Sequence, residues 1–179
     1  MDLPRPGRGD GVHVRAEDGP GGLKAIVASL VIGLATRDDV PDILGLLADD
    51  DLGAHPESAG HGALEPYLHA FDDIAADPRS ALYVARLGER VVGTFQLIVL
   101  RHLSHRGGCV AQIESVHVAS DVRRRGIGDA MMRHAIDEAR RHVCHRVQLM
   151  SNKRRVDAHR FYTRLGFVAS HEGFKRGLD

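Results

Sequence analysis

The stretch RRRGIGDAMMRHAIDEARR, Arg123 to Arg141, constrains the fold more than any other part of this chain. Met132, Ala135, Ile136, Ala139 and Val143 fall at helical spacing on one face, and Asp129, Arg133, Asp137 and Arg140 fall on the other. Asp129 with Arg133 and Asp137 with Arg141 make i,i+4 pairs, and acid early with arginine late suits the helix dipole. The spacing therefore predicts a helix with one apolar face to bury. Its start is equally informative, because the first N–H groups of a helix lack internal partners, carry partial positive charge and so form an anion site. Gly126 and Gly128 have no Cβ, which lets a phosphate approach the backbone, and Arg123, Arg124 and Arg125 add guanidinium donors. A pyrophosphate fits such a loop.

The other periodicities surround this helix with strands. LVIGLA, Leu30 to Ala35, reads as a first strand, and Asp38 or Asp39 can cap a helix through Leu47 that carries Val40, Ile43, Leu44 and Leu47. A turn-rich acidic stretch, Asp49 to Ala63, leads to a second helix at about Leu64 to Ala75. ALYVARL and RVVGTFQLIVL, parted at Gly88 and Glu89, make an antiparallel hairpin, and Val110 to Val118 is a further strand. After the arginine-led helix come a strand, RVQLM, a short helix, DAHRFYTRL, closed by Gly166, and a terminal strand near Phe167. The order β α α β β β α β α β describes a single α/β domain of α+β type, residues 30–179. Residues 1–29, rich in glycine, proline and charge, read as a flexible N-terminal extension.

Charge narrows the partners. Lysine plus arginine and aspartate plus glutamate both number 24, which argues against a nucleic-acid partner held by bulk charge. No apolar run approaches the ~20 residues of a membrane helix, and MDLPRPGRGDG lacks the apolar segment of a signal peptide, so a cytoplasmic protein without a membrane partner is expected. Cys109 and Cys144 are too few for a disulfide scaffold and are expected as free thiols. His102 with His105, and His142 with Cys144 and His145, lack the second spaced pair of a structural zinc site, so no metal is expected.

Three phosphate-loop patterns compete for the glycines. A Walker loop needs Lys-Ser or Lys-Thr after its last glycine, and neither is present. A dinucleotide fingerprint needs a small residue where Met131 stands. The pattern that matches is [RQ]-x-x-G-x-[GA], as Arg123-x-x-Gly126-x-Gly128, directly after a strand ending Val116-His117-Val118. This resembles motif A of the GNAT superfamily, the acetyl-CoA dependent N-acetyltransferases. DAHRFYTRLGF, with Ala158, Tyr162, Gly166 and Phe167, is similar to a later segment of the same family. Arg155 stands where relatives often carry asparagine.

The resemblance implies a mostly antiparallel central sheet flanked by helices and splayed between the fourth and fifth strands, here Val110 to Val118 and Arg146 to Met150. It implies that Val116, His117 and Val118 offer backbone to the pantetheine arm of acetyl-CoA, and that Arg123, Arg124, Arg125, Gly126, Ile127, Gly128 and Asp129 hold the pyrophosphate. The reaction it implies is direct transfer of the acetyl group to a primary amine of a small molecule or, as a lesser alternative, of a protein. Relatives often dimerise, which leaves a homodimer open.

That chemistry asks for two further groups. An alkylammonium of pKa ~10.4 must lose a proton before it can attack a thioester, and Glu114 is the candidate base. By strict alternation Glu114 shares a face with Gln112, Val116 and Val118, so one strand face turns from polar to apolar where the slot should open, while His117 points the other way. The departing thiolate needs a proton donor, and Tyr162 occupies the matching family position. The rival from another class is a non-catalytic acyl-CoA-binding sensor or partner module on the same fold, without turnover.

Overall fold

The computed structural model describes residues 12–13, 29–49 and 63–178. In chain order it contains β1 (Val12–His13), β2 (Leu30–Leu34), α1 (Val40–Ala48), α2 (Glu65–Ala76), β3 (Ser80–Leu87), β4 (Arg90–Arg101), β5 (Cys109–Val118), α3 (Ile127–Arg141), β6 (Arg146–Leu149) and α4 (Val156–Arg164). The strands form one sheet in the order β1-β2-β3-β4-β5-β6. All neighbours are antiparallel except β5 and β6, which run parallel because α3 crosses over between them. Val12 and His13, inside the stretch read as an extension, pair with Ile32 and Val31 as a short edge strand. Most of the acidic Asp49 to Ala63 stretch, including Asp50, Asp51 and Glu57, lies outside the described residues.

The sheet is covered on both sides. Phe95 stacks on Tyr83, with ring centroids 4.9 Å apart, and meets the His134 ring of α3 edge-on, so the face of β4 carrying Phe95 looks toward α3. Leu30, Ile32, Tyr83, Phe95 and Ile113 are buried with Met131, Met132, Ala135 and Ala139 of α3 in one core. Thr94 points the opposite way and is also fully buried, its hydroxyl donating to the Tyr83 carbonyl at 2.9 Å. That second face is shared with α1, which contacts β4 and β5.

The start of α1 differs from the simple cap expected at Asp38 or Asp39. A 3-10 turn, Arg37–Asp39, precedes the helix, and Asp39 reaches back to accept from the Thr36 N–H at 2.7 Å and the Thr36 hydroxyl at 2.9 Å. The Arg86 guanidinium of β3 also donates to it. Burial opposes ionisation of Asp39, but these donors outweigh it and hold the carboxyl below the usual carboxylate range.

The face of α3 is rotated slightly from the sequence expectation. Met131 and Ile127 are buried, Ile136 is half-buried, and Val143 is exposed beyond the helix end, where it adopts φ 56°. Asp129 pairs with Arg164, Asp137 with Arg140 and Glu138 with Arg141, in place of the two i,i+4 pairs expected. Gly93 of β4 explains the close approach of α3: a Cβ there would stand 2.6 Å from the Met131 sulfur and 3.1 Å from the His117 carbonyl.

The terminal strand expected near Phe167 does not form. Gly166 at φ 88° closes α4, with the Gly166 N–H donating to Thr163 and the Phe167 N–H to Tyr162, both at 3.0 Å. Phe167 then packs edge-on to Tyr162, and a tight bend from Ser170 N–H to the Val168 carbonyl interrupts any extended run. Both cysteines are free.

Candidate active site

The site begins with an irregularity in β5. Thr94 of β4 pairs with His117 and Gln96 with Glu114, so Ser115 and Val116 together oppose the single residue Phe95. This is a β-bulge, and Ser115 carries it at φ 51°. The bulge overturns strict alternation. Because directly paired residues share a face, His117 lies with Glu114 and Gln112 beside Thr94, Gln96 and Ile98, whereas Val118 pairs with Gly93 on the α3 face. Val116 packs against the core cluster as well. From Gln112 to Val118 the polar and apolar residues of β5 therefore separate onto opposite faces, and no single face changes character over that stretch.

The second element is the opening between β5 and β6. Their pairing runs from Val110 opposite Arg146 to Ile113 opposite Leu149 and stops there. From Glu114 onward the β6-side edge of β5 has no strand partner among the described residues, which turns the backbone of Val116 and the Val118 N–H toward an extended ligand, while the Val118 carbonyl accepts from Arg123. This is the splay expected between the fourth and fifth strands.

Across this floor runs a chain of carboxamides. Gln148 of β6 donates from Nε2 to Gln112 Oε1 at 2.8 Å, and Gln112 donates from Nε2 to Glu114 Oε1 at 2.8 Å. Gln96, opposite Glu114, instead donates to the Ser80 hydroxyl at 2.9 Å. Sequence reasoning passed over Gln148 and gave Gln112 no role, although a glutamine flanked on both sides by apolar residues of its strand is the signal that marks both.

Beyond Val118 the chain makes a short 3-10 turn, Ser120–Val122, and enters the arginine-led loop. Arg124 has φ 62° and Gly126 φ 81°, and Gly126 is the left-handed N-cap of α3. The first helical bond is donated by the Ala130 N–H to the Gly126 carbonyl at 3.0 Å, so the N–H groups of Ile127, Gly128 and Asp129 have no partner within the helix. The arginines divide. Arg123 turns back to donate to the carbonyls of Val118 at 3.1 Å and Asp49 at 3.4 Å, although it is exposed like Arg124 and Arg125. Asp49 accepts from the Ser120 N–H at 3.2 Å and so ties the end of α1 to the turn before the loop.

Gly128 has a further structural reason beyond the one its sequence position suggested. A Cβ there would meet the Phe161 ring at 3.2 Å, so the missing side chain lets α4 dock on the first turn of α3. Asp129 reinforces the docking through Arg164 at 3.5 Å, whose guanidinium carbon lies 5.5 Å from the centre of the Phe161 ring. Tyr162 is held between Phe161 and Phe167, with ring centroids 5.2 Å and 5.9 Å away. Burial pushes its hydroxyl above the ordinary tyrosine value, and the positive charge of Arg155 opposes that shift. The tyrosine is therefore an acid that keeps its proton at neutral pH.

Among the described residues, no three histidine, cysteine, aspartate or glutamate side chains are grouped to hold a metal ion, and no helix is long and apolar enough to cross a membrane. The sequence and the fold have counterparts in known proteins. The pattern of the acetyltransferase (GNAT) family matches residues 46–167. An aminoalkylphosphonate N-acetyltransferase of Salmonella typhimurium is 33% identical over 149 residues, spanning 80% of this chain and 88% of the relative. A solved structure from Bacillus halodurans, described as a transcriptional regulator, is 38% identical with a TM-score of 0.77 and covers 83% of this chain and 99% of its own. Glucosamine-6-phosphate N-acetyltransferase from Arabidopsis thaliana, at 18% identity and a TM-score of 0.70, shares the fold over 84% of this chain and 99% of its own. With residues 46–167 matched and a curated N-acetyltransferase at 33% identity, the chain belongs to the acetyltransferase (GNAT) family.

Proposed function

We propose that this chain transfers an acetyl group from acetyl-CoA directly to the primary amine of a small molecule. The observation that carries the reading is the continuity of the unpaired β5 edge, starting at Glu114, with the uncapped first turn of α3. An extended thioester arm and a diphosphate need those two features in that order. Val116 and Val118 would pair with the arm through their backbone, and the backbone from Arg124 to Asp129 would hold the diphosphate, with Arg124 and Arg125 adding charge and His117 contributing strand backbone. Arg123, with its guanidinium turned to two carbonyls, would act mainly by fixing the start of the loop.

Glu114 would take the proton from the ammonium, freeing the nitrogen lone pair to attack the thioester carbon. A backbone N–H of the Val116–Val118 stretch would stabilise the oxyanion. As the C–S bond breaks, Tyr162 would give its proton to the leaving thiolate. No covalent enzyme intermediate is needed. His117, which the bulge brings onto the face of Glu114, is the next candidate for the base.

The 33% identical relative, by its name, acetylates aminoalkylphosphonates, which makes a short amine bearing a phosphonate the first acceptor to test. A thiol-release screen over aminoalkylphosphonates, amino acids, aminoglycosides, polyamines and peptides tests the assignment, and absence of free CoA with every amine would overturn it. A second reading, a CoA-binding sensor without turnover, draws on the Bacillus halodurans relative, which is described as a transcriptional regulator. A sensor would bind acetyl-CoA and release no thiol. In either case acetyl-CoA at a hundredfold excess over its dissociation constant should stabilise the fold by about 2.7 kcal/mol, and dephospho-CoA should keep much of that effect. No thermal shift with saturating acetyl-CoA would remove both readings.

A further inference from the structure

Gln112 takes no part in the reaction outlined above, yet it is only 8% exposed and sits between the fully buried Ala111 and Ile113. A buried carboxamide in such a place needs a partner at each end. Gln112 has both: its oxygen accepts from Gln148, and its nitrogen donates to Glu114 Oε1, each at 2.8 Å. An ionised Glu114 can only accept, so Gln112 must turn its NH₂ toward Glu114 and its oxygen toward β6. Gln148, directly opposite Gln112 in the last paired stretch of β5 and β6, supplies the N–H that this orientation requires. The three side chains thus form one directional chain that ends at the mouth of the opening.

We infer that Gln112 is a positioning residue for the base, itself oriented by Gln148. The inference rests on the reading of Glu114 as the base. The donor on Oε1 fixes the rotation of the carboxylate, which leaves Oε2 to accept the proton of the amine. Gln96, opposite Glu114, is engaged with Ser80 and does not supply this donor. On the same face β4 presents Thr94 and Gln96, β6 presents Gln148 and β5 presents His117, the titratable neighbour. Asp42, the charged residue of α1, lines a cleft with Arg90 and Asp121.

The test is the pH dependence of kcat/KM for an accepted amine in Gln112→Leu, Gln148→Leu and Glu114→Gln. Glu114→Gln should abolish the ascending limb, which identifies that limb with Glu114. Gln112→Leu should lower kcat/KM for the amine by roughly tenfold, with KM for acetyl-CoA unchanged, because the carboxylate is no longer held in one rotation. Gln148→Leu should lower kcat/KM for the amine by less. If Gln112→Leu does not give a cooperatively folded protein, Gln148→Leu decides the matter. An unchanged kcat/KM for the amine in the folded Gln112 and Gln148 variants, while Glu114→Gln abolishes the limb, overturns the positioning role alone. A limb that survives Glu114→Gln overturns the base assignment, and the positioning role falls with it.

Discussion

Replacing Gly128 by valine should destabilise the fold by forcing α4 off the start of α3. The first added carbon would stand 3.2 Å from Phe161 Cζ and 3.6 Å from Cε2, closer than a comfortable contact, and the two methyl groups beyond it add volume in the same region. Overpacking of this kind costs about 1–3 kcal/mol. Valine is a better helix former than glycine by a few tenths of a kcal/mol, too little to offset it. For a chain of 179 residues each kcal/mol moves the melting temperature by about 2–4 °C, so Gly128→Val should melt roughly 2–12 °C lower. Phe161→Leu opens the space the valine needs. Urea unfolding of both single variants and the double should therefore give a favourable coupling of about 0.5–3 kcal/mol. A Gly128→Val protein as stable as the parent, or strictly additive losses in the double variant, would refute the argument. Acetyl-CoA affinity measured on the double variant adds a second result: its return with stability would assign close anion approach to Gly126 alone.

Tyr162→Phe keeps the ring between Phe161 and Phe167, so acetyl-CoA affinity should persist while kcat falls by roughly 10² to 10⁴, read by steady-state kinetics. Burial raises the Tyr162 hydroxyl above its ordinary value, so loss of its proton should leave activity undiminished until above about pH 10, and a descending limb at lower pH that disappears in Tyr162→Phe would contradict the shift. Asp39→Asn should cost about 3 kcal/mol at pH 7 by leaving Arg86 without its carboxylate. Because the Asp39 carboxyl titrates below its unfolded value of ~3.9, its contribution is fully present above that pH and is lost as pH falls through the lower native value. Urea unfolding from pH 7 to pH 2 should show the two proteins converging only at the acid end.

The sheet, α3 and the arginine-led loop were legible because each carries a repeating signal. Apolar runs marked β3 and β4, alternation marked most of β5, and Gly88 at φ 61° turned the hairpin where expected. The features that shape the site were less legible, since they depend on residues far apart in sequence. Nothing local in IESVHV announces a bulge at Ser115, and without it Val118 and His117 are assigned to the wrong faces. The second reason for Gly128, clearance for Phe161, was not legible because that contact lies on another helix. The tie of Arg123 to the Asp49 carbonyl was not legible because that partner comes from the far end of α1. The missing strand after Phe167 was misread from apolar spacing alone, and the bend at Ser170 outweighs that spacing.

Ser115 has a wider consequence. Its side chain is exposed, and it contributes to β5 chiefly by lengthening it: one residue adds about 3.3 Å of backbone that β4 does not match. Removing it would let β5 lie straight along β4 while Glu114, His117 and Val118 kept their present sides of the sheet. The opening is thus written as surplus chain length rather than as a particular amino acid. Exchanging the letter at position 115 leaves the slack in place, most comfortably with glycine or asparagine at its positive φ, whereas deleting one codon takes it up. A survey by substitution would rate this position as unimportant, and a survey by deletion would find the residue that keeps the cleft from closing.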